Sequence, residues 1–97
     1  MDAYEKAQAE RRKVPETHNL KTWPIYFGAV LAGTKTFEVR KADRDFMVGD
    51  RIVLNEWDPE TGSYTGAQAL REVTYILKGG QFGIEPGYVV MGLGVPR

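Results

Sequence analysis

Eleven glycines and five prolines punctuate a chain of 97 residues. Punctuation this dense favours short strands and tight turns over long helices. One stretch keeps a helical rhythm, "TWPIYFGAVLAG" over residues 22–33. Thr22 can cap it, and Pro24 is tolerated in a first helical turn. Trp23, Phe27, Val30 and Leu31 fall at i, i+4, i+7 and i+8, which predicts one buried helical face. Gly33 is placed to end the helix in a left-handed conformation.

The rest reads as strands. "THNLK" predicts a first strand before the helix and "TFEVRK" a second directly after it. "ADRDFMVGD" is a loop. "RIVLNEW" follows, with Ile52 and Leu54 on one side and Val53 on the other. "DPETGSYTG" is rich in turn formers and reads as a hairpin. "AQALREVTYIL" is a long strand with room for a bend, and "YVVMGLGV" is the last one. Between them "KGGQFGIEPG" is a long glycine-rich loop, a length that often has a functional reason. Strand, helix, then four strands predicts an α+β, mainly β domain. It is a small barrel of five to six mostly antiparallel strands, plugged or flanked by one main helix. Residues 17–97 form this one domain. Residues 1–16, "MDAYEKAQAERRKVPE", form an N-terminal arm, either a short helix ending before Pro15 or a mobile segment. The "RRK" run at 11–13 reads as a solvated charge run or a phosphate contact.

Composition removes several function classes. No cysteine means no disulfide and no thiolate zinc site. A single histidine, His18, forms no metal cluster, so neither metal nor cofactor is expected. Thirteen basic residues cancel thirteen acidic ones, so any basic site must be local. No apolar run approaches the ~18 residues of a membrane span, and no leader peptide is visible, so a cytoplasmic protein with no membrane partner is expected. A monomer or weak dimer is expected.

The chemistry-bearing stretch is "GTKTFEVRKADRDF". Alternation sends Phe37 and Val39 to the core and puts Thr36, Glu38 and Arg40 together on the other face. Lys35 sits at the turn before the strand, and Lys41, Asp43, Arg44 and Asp45 crowd the loop after it. Two readings stay open. One is a ladder of surface ion pairs, worth about 0–1 kcal/mol each. The other is a polar cleft, where Lys and Arg meet phosphate or a carbonyl and a carboxylate accepts from a base amine. Trp23, Tyr26, Phe27, Trp57, Tyr64, Phe82 and Tyr88 are available for stacking on a base. Most are needed as core, Trp23 and Phe27 among them by helical spacing, and Trp57 and Tyr64 are expected to pair across their hairpin. Phe82, within the glycine-rich loop, is the one packing explains least. His18 reads as a hydrogen-bonded structural residue with no acidic partner identifiable in the sequence. "GGQFG" lacks the context and Lys-Ser/Thr ending of a phosphate-binding P-loop.

"VLAGTKTFEVR", a charged loop and "VGD" together resemble the signature of ASCH domains, a branch of the PUA-like barrels. With "LKTWPIYF", "NEWDPETGSYTG" and "GGQFGIEPGYVVM", the chain resembles a small ASCH-like group of bacteria and their viruses over roughly residues 18 to 93. The resemblance implies a β-barrel with a cleft beside the helix-to-strand turn, and RNA or nucleotide binding. Some small members are metal-independent amidohydrolases that deacylate the N4 of cytidine with a Lys, a Thr and a Glu. The lysine carries over onto Lys35. The threonine position falls on Glu38, leaving Thr36 on the same strand face as the nearby hydroxyl. Glu85, in the loop 78–87, is the candidate for the glutamate.

The leading expectation is therefore a domain that binds RNA, single-stranded nucleic acid or a nucleoside or nucleotide. Lys35, Arg40 and Arg44 would meet phosphate or base carbonyl, and Glu38 an exocyclic amine. Lys21, Trp23, Thr36, Phe82 and Glu85 complete the candidate ligand site. The alternatives are an N4-acylcytidine amidohydrolase, with Lys35 and Glu38 as catalytic pair, and a protein-interaction module using an edge strand or the glycine-rich loop.

Overall fold

A computed structural model gives the structure, described for residues 14–96. Residues 1–13 of the expected arm, including the "RRK" run, lie outside the described residues. Among the described residues, five strands and one helix follow in the order β1 (Thr17–Thr22), α1 (Pro24–Leu31), β2 (Phe37–Lys41), β3 (Arg51–Asp58), β4 (Ser63–Lys78) and β5 (Tyr88–Gly94). The strands form one curled, half-barrel sheet in the order β1-β3-β4-β5-β2. Only β1 and β3 pair in parallel; the other three ladders are antiparallel. The molecule is thus a mainly β, α+β fold. Among the described residues, no helix is long and apolar enough to cross a membrane.

Period-two alternation builds the concave core. Along β1, His18, Leu20 and Thr22 are buried and the residues between them exposed. On β3, Ile52 and Leu54 are fully buried, as their spacing predicts. Leu20, Ile52, Leu54, Ala69, Val73, Val89 and Met91 line the sheet's inner face, and Phe27, Val30 and Phe46 pack onto them from the helix and the loop 42–50. β4, sixteen residues long, serves two neighbours in succession, β3 with residues 63–72 and β5 with residues 72–78, and it carries a bulge between Val73 and Tyr75. Glycines 92 and 94 on β5 make room for it: a Cβ on either would come within 3 Å of the Thr74 side chain.

Three expectations for the helix and the next strand fail. Thr22 does not cap α1; it ends β1, and Trp23 is the N-cap, with no side-chain cap bond. Trp23 is half exposed, and so is Leu31, leaving Phe27 and Val30 as the buried residues of the helix. Helical spacing does not apply to Trp23, whose backbone is still extended at φ −70°, ψ 152°. Two turns riding the sheet bury one i, i+3 pair and leave Leu31 outside. Phe37 and Val39 are half exposed, while Glu38 is buried. Glu38 stands directly across from fully buried Met91, so register sets the strand's phase against its apolar pattern.

The helix ends as its glycine predicts. Gly33 has φ 78°, Gly33 N–H donates to the Val30 carbonyl, and Thr34 N–H donates to Ala29. That Schellman closure throws the chain straight into Lys35 and β2. The loop 42–50 is held by a buried carboxylate. Asp50 accepts from the Glu16 and Met47 amides at 3.0 and 2.9 Å and pairs with His18 Nε2 at 2.8 Å. The His18 ring packs against Phe46 in a tilted contact, centroids 4.8 Å apart. It is a buried structural histidine, and Asp50 is the acidic partner that sequence distance concealed.

Candidate functional site: a charged cleft at the sheet seam

The strand order leaves β1 and β2 as the two edges of the half-barrel. Arg40 of β2 and Arg44 of the loop after it reach across to β1. Arg40 Nη2 on β2 donates to the Lys21 carbonyl on β1 at 2.8 Å and reaches the Thr22 hydroxyl at 3.4 Å. Arg44 Nη1 donates to the Asn19 carbonyl at 3.1 Å. Between the strands opens a cleft of about 500 Å³, lined by Lys21, Thr22, Trp23, Tyr26, Lys35, Glu38, Val39 and Arg40.

Its charged centre is Glu38. Lys35 Nζ lies 2.6 Å from Oε1 and Arg40 Nε 2.9 Å from Oε2. The carboxylate is 5% exposed, and the two cations are 18% and 26% exposed, so they screen the acid while keeping contact with the opening. Lys35 is steadied by a second bond to the Phe37 carbonyl at 2.7 Å and by the Phe37 ring, 5.1 Å from Nζ. No buried side-chain nitrogen or oxygen among the described residues lacks a partner.

The donor inventory shows what remains for a ligand. An ammonium has three N–H groups, and Lys35 uses two; a guanidinium has five, and Arg40 keeps part of its fork. A carboxylate offers about four lone-pair sites, so Glu38 can still accept. Two cations against one anion leave the trio one positive charge in excess, and Lys21 at the rim adds another. Trp23 and Tyr26, both half exposed, supply aromatic surface on one wall.

Of the residues singled out from sequence, the cleft gathers Lys21, Trp23, Lys35, Glu38 and Arg40. Four are elsewhere. Thr36 is exposed just before β2, and its carbonyl accepts from Leu93 N–H. Arg44 donates to the Asn19 carbonyl and lies outside the lining. Phe82 and Glu85 are exposed on the 79–87 loop, also outside the lining. Thr22 and Val39 were missed as lining residues, and Tyr26, which also lines the cleft, was legible only as one of several aromatics available for stacking. Thr22 reads from sequence as a helix cap, and its place as the buried last residue of β1 puts it in the lining instead.

Fold and site together define a small mainly β domain with an ion-paired cleft where its edge strands meet. The chain belongs to a family described as Domain of unknown function (DUF3850), whose model matches residues 17–93. It is also similar to an uncharacterized 12.9 kDa protein in the GpA 3′ region of Escherichia phage P2, 39% identical over 57 residues. That match takes in 59% of this chain and spans half the relative's length.

Proposed function

We propose that this is an RNA- or nucleotide-binding domain of the ASCH/PUA-like kind, holding a base in the seam cleft. One observation carries the reading: a buried carboxylate is clamped between two cations on the floor of a cleft with aromatic walls. Glu38 accepts from an exocyclic amine, as carboxylates do from cytosine N4, while Lys35 or Arg40 donates to the neighbouring carbonyl. Trp23 and Tyr26 stack on the base, and the excess positive charge attracts its phosphate. A cleft of about 500 Å³ lies within the ~300–1,000 Å³ usual for small-molecule sites. Balanced overall charge suits a small or single-stranded ligand better than long duplex, whose binders neutralise many phosphates. Such ligands fit a cytoplasmic setting. Calorimetric titration with nucleoside monophosphates and short RNAs at low salt tests this. Binding is expected, weakened ~10-fold or more by Lys35→Ala through loss of a charged hydrogen bond. No binding, or binding untouched by Lys35→Ala, contradicts it.

A second reading, hydrolysis of N4-acylated cytosine nucleosides, draws on the Lys35–Glu38–Arg40 trio. Thr22 brings to the cleft the hydroxyl that Thr36 does not. In that reaction Glu38 takes a proton from water as the oxygen adds to the acyl carbon, and Lys35 or Arg40 stabilises the oxyanion. The C–N bond then breaks, the proton passes to N4, and cytidine and a carboxylic acid leave. Absorbance of N4-acetylcytidine follows turnover directly. Loss of turnover in Lys35→Ala and Glu38→Gln supports this reading; no wild-type turnover removes it.

A further inference from the structure

Lys21 belongs to two surfaces. It lines the cleft, and its ammonium also stands 4.3 Å from the centroid of the Trp57 ring. Trp57 on β3 is directly across from Tyr64 on β4, and Tyr64 is 59% exposed. Directly opposed residues share a sheet face. Beside this aromatic pair an amide ladder crosses three strands. Gln68 Nε2 on β4 donates to Asn55 Oδ1 on β3 at 2.6 Å, and Asn55 Nδ2 donates to Asn19 Oδ1 on β1 at 3.2 Å. Asn19 and Lys21 are the exposed residues alternating with the buried side of β1, which places ladder and aromatics on the outer sheet face. As sheet reinforcement, exposed cross-strand pairs contribute only about 0.2–1 kcal/mol each. A cation, two aromatics and a row of amides are, however, the side-chain kit of single-strand binding.

We propose that this outer face carries further nucleotides of a single strand whose neighbouring base occupies the cleft. The inference rests on the cleft reading above and narrows its ligand to single-stranded nucleic acid. Tyr64 stacks a base. The Asn19 amide nitrogen and the Gln68 carbonyl oxygen take no part in the ladder and meet base edges. Lys21 spans the step between the two surfaces: a phosphate there draws its ammonium off Trp57 and uncovers the indole.

The test compares a nucleoside monophosphate with a short single-stranded RNA, titrated into wild type, Tyr64→Ala, Gln68→Ala and Lys35→Ala. Far-UV circular dichroism checks folding; Tyr64 and Gln68 are both exposed. RNA is expected to bind wild type more tightly than the mononucleotide. Tyr64→Ala weakens RNA ~5-fold or more, by the usual worth of a stacked base. Gln68→Ala weakens RNA as well, and neither alters mononucleotide binding. Lys35→Ala weakens both ligands. RNA no tighter than mononucleotide, or RNA affinity unchanged in both outer-face variants, overturns the proposal. Mononucleotide failing to bind while RNA binding still depends on Tyr64 overturns the cleft reading and leaves the outer face standing.

Discussion

Glu38 shows how one buried charge depends on its partners. Lys35 and Arg40 each hold a different carboxylate oxygen, so removing one leaves the other in place. Lys35→Met and Arg40→Met are each expected to cost about 1–2 kcal/mol. Together they leave a buried carboxylate unpaired, a loss of about 3–5 kcal/mol. The double variant therefore costs more than the singles combined, with a coupling of ~1 kcal/mol read from urea denaturation. Strict additivity would mean that the two cations do not share the acid. Asp50 is the second such residue. It is 1% exposed and serves two amides and His18, so Asp50→Ala is expected to lose about 3–5 kcal/mol. A loss under ~1 kcal/mol in the same measurement contradicts that role. The charged types at 35, 38 and 40 were legible in the sequence as a candidate constellation. Asp50 was not, because its partner His18 lies 32 positions away and comes near only through the parallel β1–β3 ladder.

At the scale of elements, β2 carries the sharpest departure from pattern. Alternation correctly put Glu38 opposite in sense to Phe37 and Val39, and the wrong set was assigned to the inside. Apolar-inward is a rule for strands whose inner face meets core; at an edge beside a polar cleft the acid goes in and the apolar pair stays half exposed. β3 obeys the rule because Ile52 and Leu54 face the hydrophobic core. The 79–87 loop is a fixed structure despite its glycines. Gly79 N–H donates to the Tyr88 carbonyl at 2.7 Å, and Gly80 N–H to Ile84 at 2.7 Å. A Cβ at Gly79 would collide with the Glu85 carbonyl oxygen. Gly79→Ala is thus expected to destabilise by about 1–3 kcal/mol or more, seen as a lowered Tm. At the tip Phe82 has φ 53°, a left-handed conformation costly for an aromatic residue. Phe82→Asn relieves it and raises stability by ~0.5–1 kcal/mol; an unchanged or lower Tm speaks against strain there.

For the whole molecule, the account turns on a sheet whose two edges are joined by arginines. Arg40 and Arg44 bond to carbonyls of β1 where no strand pairs. Replacing Arg44 by Ala, which leaves the Glu38 pair intact, is expected to speed amide hydrogen exchange in β1 ~10-fold while β3, paired on both sides, keeps its protection. Uniform change across all strands contradicts an arginine seam. The five to six strands, the helix after the first of them and the dominance of antiparallel pairing were readable from turn spacing and period. Closure by side chains was not, since no local pattern marks an arginine whose acceptor is a distant backbone carbonyl. The most direct test of the central claim is an amide-resolved NMR titration with cytidine monophosphate. Shifts concentrated at residues 21–26 and 35–40 are the predicted result. Shifts confined to the 79–87 loop, or none at saturating ligand, contradict it.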